Sequence, residues 1–370
     1  MRIGLFPLEI GRKVGGLEVY ETSLIRALAR IDVRNEYRVF CLDPAVPEIL
    51  NIHAENVQFE ILPAGRLKGV LWDIPHAMAK ARLDLFHALF VPPPFTSVPY
   101  VFTHHGTEVI ERPDFYPFAL GLRMRALFRR AFQKARLIIC VSNYVRDYLA
   151  QVQHIPLEKL RTIYHGYDPG FGSIQKPAAR KHVADKYRLN QPFLLTVGRI
   201  EPRKNPIQVL RAYDSFRRSV PDAPKLVFVG MKTWSAKEFD RTVVELGLED
   251  SIMQLGHVPH DDLPALYAAS KFAIYASLWE GFGLPVLEAY AAGTPLIASR
   301  TTSLPEIGGD ACLLVDPTST ENIAAAMRSL NADQGLRDLL VCRGQKRAAA
   351  FSWDRTARET LSAYQVAMIG

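Results

Sequence analysis

The sequence is poor in several kinds of signal, and each gap removes a class of protein. Its four cysteines, Cys41, Cys140, Cys312 and Cys342, are scattered over 370 residues and form no Cys-x-x-Cys pair. That spacing supplies neither a metal-ligand set nor a disulfide framework, and reduced thiols in a cytoplasmic protein are its simplest reading. No apolar run approaches the roughly 18 residues a membrane-spanning helix needs. The opening Met1-Arg-Ile-Gly-Leu-Phe-Pro7 reads as a short strand and lacks the apolar centre of a signal peptide. No Gly-x-Gly-x-x-Gly follows a strand, because Gly281-Phe-Gly283 runs on into Leu-Pro-Val. A Walker lysine motif and a Gly-x-Ser-x-Gly elbow are missing too, so hydride transfer and serine hydrolysis have no anchor. No Asp-x-Asp pair marks a cation site.

What is present is a regular alternation. Hydrophobic residues make up 48% and charged residues 22%, as in a soluble globular protein. The length suffices for two domains with separate cores. A net charge of +7 admits nucleic acid, anionic membrane or phosphorylated ligands, without choosing among them. Short apolar runs alternate with amphipathic segments, the pattern of parallel sheets flanked by helices. Strands are expected at Arg2–Phe6, Tyr37–Leu42, Val57–Leu62, Asp84–Phe90, Tyr100–His104, Leu137–Val141 and Thr162–His165. The second series is Phe193–Gly198, Lys225–Gly230, Ser251–Gly256, Phe272–Ser277, Pro295–Ser299 and Cys312–Val315. Pro169–Pro192 reads as a linker with a short helix. The expectation is α/β: two doubly wound domains, 1–170 and 171–352, with the last helical segment at 353–370.

Four loops carry chemistry-bearing residues. In Glu280-Gly-Phe-Gly-Leu-Pro-Val-Leu-Glu288 two carboxylates flank a Gly-rich turn that opens into a helix. Pro285 suits the first helical position and Gly293 the residue past the helix end. Backbone N–H groups of Gly281, Phe282 and Gly283 then point at the mouth of that turn, where an anion is favoured. Val197-Gly-Arg-Ile-Glu-Pro-Arg-Lys204 leaves a strand carrying Arg199, Arg203 and Lys204, at the end of a parallel sheet where ligands bind. Gly15 and Gly16, between the first strand and first helix, permit close backbone approach. His104 and His105 close another strand. Phosphate donors and hydroxyl acceptors together suit a sugar nucleotide.

Ala276-Ser-Leu-Trp-Glu-Gly-Phe-Gly-Leu-Pro-Val-Leu-Glu-Ala-Tyr-Ala-Ala-Gly-Thr-Pro-Leu-Ile-Ala-Ser299 resembles the signature of a large family of retaining glycosyltransferases, which includes bacterial polysaccharide mannosyltransferases. The resemblance implies the GT-B fold, two facing Rossmann-like domains whose C-terminal helix crosses back to the first. It implies that Glu280 and His105 hold the transferred hexose, that Glu288 binds the ribose, and that Arg199 and Lys204 bind the diphosphate. Gly15 and Gly16 belong to the family's glycine loop, the turn Gly281–Leu284 to its donor site, and Val258 lies against the base. Gly106 stands where the family commonly has Asp, so that residue's role is missing here. Arg203 has no counterpart and is expected to face solvent. His104 is expected as a satisfied strand-end histidine, and His87 as structural or acceptor-side.

The resulting expectation is a cytoplasmic, metal-independent hexosyltransferase. Its preferred donor is GDP-mannose or a GDP-deoxyhexose, and its acceptor a glycan or lipid-linked oligosaccharide; nucleic acid is not a partner. A UDP-sugar donor, or a catalytically silent sugar-nucleotide-binding subunit, stays open on the sequence. Ala119–Arg136 adds a last element. Leu120, Met124, Leu127, Phe128, Ala131 and Phe132 share one helical arc, while Arg123, Arg125, Arg129, Arg130, Lys134 and Arg136 fill the rest. Such a helix suits peripheral contact with an anionic membrane, or a core-facing helix with a solvated basic face.

Overall fold

A computed structural model describes residues 1–13, 15–63, 72–92, 95–233 and 236–369. Val14 of the glycine loop and Gly370 at the end of the last segment lie outside the described residues. The chain divides into two units, Met1–Gly166 with Ser352–Gly370, and Tyr167–Phe351.

In the first unit the described strands are β1 (Arg2–Phe6), β2 (Glu36–Cys41), β3 (Val57–Ile61), β4 (Leu85–Ala88), β5 (Tyr100–His104), β6 (Leu137–Cys140) and β7 (Leu160–Thr162). They pair in parallel in the order β3-β2-β1-β4-β5-β6-β7. Sheets covered by helices on both faces need strands apolar throughout, and β4, β5 and β6 are buried at every position. β7 lies two residues earlier than its sequence suggests. Its ladder ends at the bond from the Ile163 N–H to the Cys140 carbonyl. The chain then turns so that Gly166 lies against Ser352 and Trp353. A Cβ on Gly166 would sit 2.1 Å from the Trp353 nitrogen, so only glycine permits this approach.

The first helix, Gly16–Ile31, packs against the last helix, Trp353–Ile369. Its buried face holds Tyr20, Leu24, Ile25 and Leu28, together with the carboxylate of Glu21. His87 is fully buried. Its Nδ1 meets the Tyr364 hydroxyl at 2.7 Å and its Nε2 the Thr103 hydroxyl at 2.7 Å, and Thr103 reaches the Tyr20 hydroxyl at 2.9 Å. This buried chain ties β4 and β5 to both helices.

In the second unit the described strands are β8 (Phe193–Val197), β9 (Lys225–Val229), β10 (Ile252–Gly256), β11 (Phe272–Tyr275), β12 (Leu296–Ser299) and β13 (Leu313–Val315). Their order is β10-β9-β8-β11-β12-β13, again parallel. Leu194, Phe228, Ile274, Ile297 and Val315 lead the core. Pro169–Pro192, expected as a linker with a short helix, belongs to this unit and does carry a helix. Its helix Lys176–Tyr187 packs on helix Leu263–Ala269, because the Asp262 carboxylate accepts from His182, Lys186 and Tyr187. In this order the connections diverge between β8 and β11, which opens a crevice at their carboxyl ends.

Candidate active site

The loops after β8 and β11 fill that crevice. Pro202–Lys204 forms one 3-10 turn, and the Leu278 N–H bonds to the Arg203 carbonyl at 2.9 Å, which fastens the two loops together. The Glu280 carboxylate, 5% exposed, accepts from Lys204 Nζ at 2.7 Å through Oε1 and from Arg203 Nη1 at 2.9 Å through Oε2. Burial alone would raise its pKa, and the Lys204 and Arg203 charges overcome this and hold it at about 2. Lys204 Nζ also donates to the Tyr275 hydroxyl at 2.8 Å. Burial pulls the Lys204 ammonium below its ordinary value, against the opposing pull of Glu280.

Arg203 therefore does not face solvent. Its second amine donates to Glu201 at 2.8 Å, and two carboxylates draw the guanidinium inward. Arg199 is the exposed cation of the loop, with its Nε 3.8 Å from Glu201. A small cleft lined by Gly198, Arg199, Lys204, Tyr275 and Ser277 opens beside it.

Glu280 leads into the buried turn Gly281, Phe282 and Gly283. The Ser303 hydroxyl braces it by donating to the Glu280 and Phe282 carbonyls, both at 3.0 Å. Gly283 takes φ 104° as the cap of helix Leu284–Ala291, a conformation that side chains oppose. Leu284 is the first helical residue, so Pro285 stands second, and Gly293 follows the helix at φ 66°. Glu288 is buried, 8% exposed, and accepts from the Tyr267 hydroxyl at 3.1 Å. Burial raises its pKa, opposed by His260, Tyr267 and Lys204. His260 itself pairs with Asp168 at 3.3 Å. Val258 is buried in the loop after β10.

In the first unit the ends of β1 and β5 carry the remaining candidates. Gly15 caps the first helix at φ 83°, Gly16 opens that helix, and both are exposed. The loop before them is gripped from the first helix. Glu21 accepts from the N–H groups of Leu8 and Glu9, at 3.0 and 2.7 Å, and Glu18 from that of Gly11 at 2.9 Å. His105, partly exposed, has Nε2 2.8 Å from the Leu89 carbonyl, and its ring meets Tyr20 edge-on at 4.5 Å. Burial lowers its pKa to about 4.

His104 departs from expectation. Among the described residues neither ring nitrogen has a hydrogen-bond partner, and the ring lies edge-on to Phe128 and Phe132 at 4.9 and 5.1 Å. Both phenylalanines come from helix Phe118–Lys134, so the apolar arc of that helix reaches the end of β5.

Sequence reasoning misplaced Arg203 in solvent and missed Tyr275, Tyr267 and Glu21. The alternation Arg199-Ile-Glu201-Pro-Arg203-Lys204 was the one available signal for Arg203. Tyr275, the polar-tipped last residue of an apolar strand, was the signal for itself.

Two family models match the chain: Glycosyltransferase Family 4 over residues 14–171, and Glycosyl transferases group 1 over residues 179–347. The chain is 32% identical over 267 residues to the O-antigen chain mannosyltransferase B of Escherichia coli, covering 72% of this chain and 70% of that protein. It is 29% identical over 236 residues to the serotype-specific mannosyltransferase WbdA of Escherichia coli; that match covers 63% of this chain and 29% of the longer protein. The crystal structure of Anabaena Alr3699/HepE in complex with UDP and glucose superposes with a TM-score of 0.79 at 20% identity, over 99% of both chains. The two parallel-sheet units are those of the GT-B fold, and the chain belongs to the group 1 and family 4 glycosyltransferases.

Proposed function

We propose that this glycosyltransferase moves mannose, from GDP-mannose or a related GDP-deoxyhexose, to a hydroxyl of a glycan or lipid-linked acceptor with retained anomeric configuration, in polysaccharide synthesis. The observation that carries the reading is the Arg199, Lys204 and Glu280 cluster at the carboxyl ends of β8 and β11, with Glu288 held by Tyr267 on the following helix. The mannosyltransferase relatives favour the sugar. UDP-glucose or another UDP-sugar is the second reading, favoured by the UDP and glucose bound to the structural neighbour.

In this reading the bond from the sugar C1 to the β-phosphate oxygen breaks, and a new bond forms from C1 to the acceptor oxygen on the same face. The acceptor proton passes to the departing phosphate oxygen, so no protein base is assigned. Arg199 and Lys204 neutralise the charge growing on the leaving diphosphate. An ammonium has three donors, and Lys204 directs one to Glu280 and one to Tyr275, which leaves a third for a phosphate oxygen. These cations take the place of a metal ion. Glu280, kept as a carboxylate, accepts from sugar hydroxyls, as does the neutral His105. Glu288 accepts from the ribose, the glycine loop at Gly15 and Gly16 approaches phosphate or acceptor, and the turn Gly281–Leu284 with Val258 frames the donor.

Peripheral contact with an anionic membrane belongs to the same reading. In helix Phe118–Lys134 the core face is narrower than expected: Gly121, Phe128, Ala131 and Phe132. Phe118 (79% exposed), Leu120 and Leu122 face outward near its start, and Arg123, Arg129, Arg130 and Lys134 are exposed along it. Apolar side chains beside a basic stripe suit a surface of anionic lipid. Among the described residues no helix is long and apolar enough to cross a membrane.

A donor scan tests the reading: GDP-mannose, GDP-deoxyhexoses and UDP-sugars with a glycan acceptor, the product's anomeric configuration read by NMR. Transfer of mannose with an α-configured product is expected from α-linked GDP-mannose. Turnover with UDP-sugars alone overturns the donor, and an inverted product overturns the mechanism.

A further inference from the structure

Five charges alternate along the cluster: Arg199, Glu201, Arg203, Glu280 and Lys204. Arg203 stands at the centre. Its guanidinium gives one amine to Glu201 at 2.8 Å and the other to Glu280 at 2.9 Å, and the latter also reaches the Trp279 carbonyl at 3.3 Å. Both carboxylates are nearly buried, with side chains 9% and 7% exposed. Each also has one of the two phosphate cations beside it. Glu201 lies 3.8 Å from the Arg199 Nε, and Glu280 lies 2.7 Å from Lys204 Nζ.

Buried carboxylates must be paired, because an uncompensated buried charge is strongly destabilising. Without Arg203, Glu201 would turn fully to Arg199 and both oxygens of Glu280 to Lys204. The cluster would then hold two carboxylates and two cations, with nothing left to attract a diphosphate. With Arg203 in place one positive charge is in surplus, and Arg199, held only at 3.8 Å, still reaches outward. The planar fork of arginine serves two carboxylates at once, which a lysine cannot do.

We infer that Arg203 is a positioning residue of the donor site: by satisfying Glu201 and Glu280, its guanidinium keeps Arg199 and Lys204 available to the donor diphosphate. The inference rests on the reading of Arg199 and Lys204 as the phosphate ligands. Arg203 itself touches no phosphate. Its effect is therefore specific to the charged part of the donor and is relieved by removing a carboxylate that competes for Arg199.

The test is calorimetry on the full chain with GDP and UDP, and with guanosine and uridine as phosphate-free probes. Arg203→Gln is expected to weaken nucleoside diphosphate binding about tenfold or more while nucleoside binding stays within about twofold. Adding Glu201→Gln to that variant is expected to recover part of the loss, a coupling that a merely structural role does not give. Arg203→Lys, with a charge but no fork, is expected to fall between, and it decides the question by the same ratio if Arg203→Gln does not fold. The inference is overturned if both Arg203 variants bind diphosphates as wild type does while Arg199→Ala and Lys204→Ala bind them weakly. Equal loss of nucleoside and diphosphate overturns it as well, since the pocket has then collapsed. Unchanged diphosphate binding in Arg199→Ala and Lys204→Ala instead overturns the phosphate-site reading itself.

Discussion

The Nε2 of His105 lies 2.8 Å from the carbonyl oxygen of Leu89. A carbonyl only accepts, so Nε2 carries the proton, and in the neutral ring Nδ1 is an acceptor. Burial holds the ring neutral down to about pH 4. His105 is thereby fixed as a hydrogen-bond acceptor across the physiological range.

The rate should consequently show no limb near pH 6.5 from this histidine. His105→Ala should lower kcat/KM roughly two- to tenfold, the net effect of one neutral hydrogen bond. A pH profile of kcat/KM checks both points. An acidic limb near the ordinary histidine value that disappears in His105→Ala would show that the charge of the ring changes during turnover.

Glu288→Ala should reduce donor affinity about ten- to hundredfold, since a hydrogen bond to a charged group contributes roughly 1.5–3 kcal/mol. This carboxylate is buried. Its removal also leaves the buried Tyr267 hydroxyl without its acceptor and should lower Tm measurably. Glu288→Gln separates the effects, because an amide oxygen still accepts from Tyr267. Donor binding unchanged in Glu288→Ala by calorimetry would remove this residue from the nucleotide site.

The first unit should be unusually sensitive to mild acid. Burial lowers His87 and His104 to about 3 and pushes His165 well below the ordinary histidine value. In the unfolded chain they titrate near 6.5, so below that pH unfolding takes up protons that the folded state refuses. Stability is complete above about pH 6.5 and falls toward pH 4, by up to about 1.4 kcal/mol per pH unit for each histidine. His104→Leu removes one such group with no hydrogen bond to lose, and should flatten the slope by about one proton. Denaturant titrations between pH 4.5 and 7 read it directly; an unchanged slope would mean that His104 is already protonated in the fold.

Liposome co-sedimentation examines the basic helix. Binding to vesicles with anionic lipid should exceed binding to neutral vesicles and weaken with salt. Replacing Phe118 and Leu122 by Ser should weaken it, and so should replacing Arg129 and Arg130. Equal binding to both vesicle types, or indifference to these changes, sinks the membrane contact.

Strand positions were legible because a parallel strand buried on both faces writes itself as an unbroken apolar run, as in Phe272–Tyr275 and Leu137–Cys140. The motif helix was legible because Gly283, Pro285 and Gly293 answer to purely local backbone demands. Sequence alone therefore determined the α/β fold class, the loops that carry Arg199, Lys204, Glu280 and Glu288, and a resemblance whose glycosyltransferase membership the family models bear out.

Tertiary structure decided which charges meet. Arg203 and Glu280 are 77 positions apart and come together only because β8 and β11 are neighbours at the point where the sheet order reverses. The burial of Glu288 depends on Tyr267, from a different helix, and the unpartnered ring of His104 on phenylalanines some 25 residues away. A side chain's type and spacing reveal what it can do. Its charge state and partners depend on the loops packed around it, because electrostatic and desolvation energies act through space rather than along the chain.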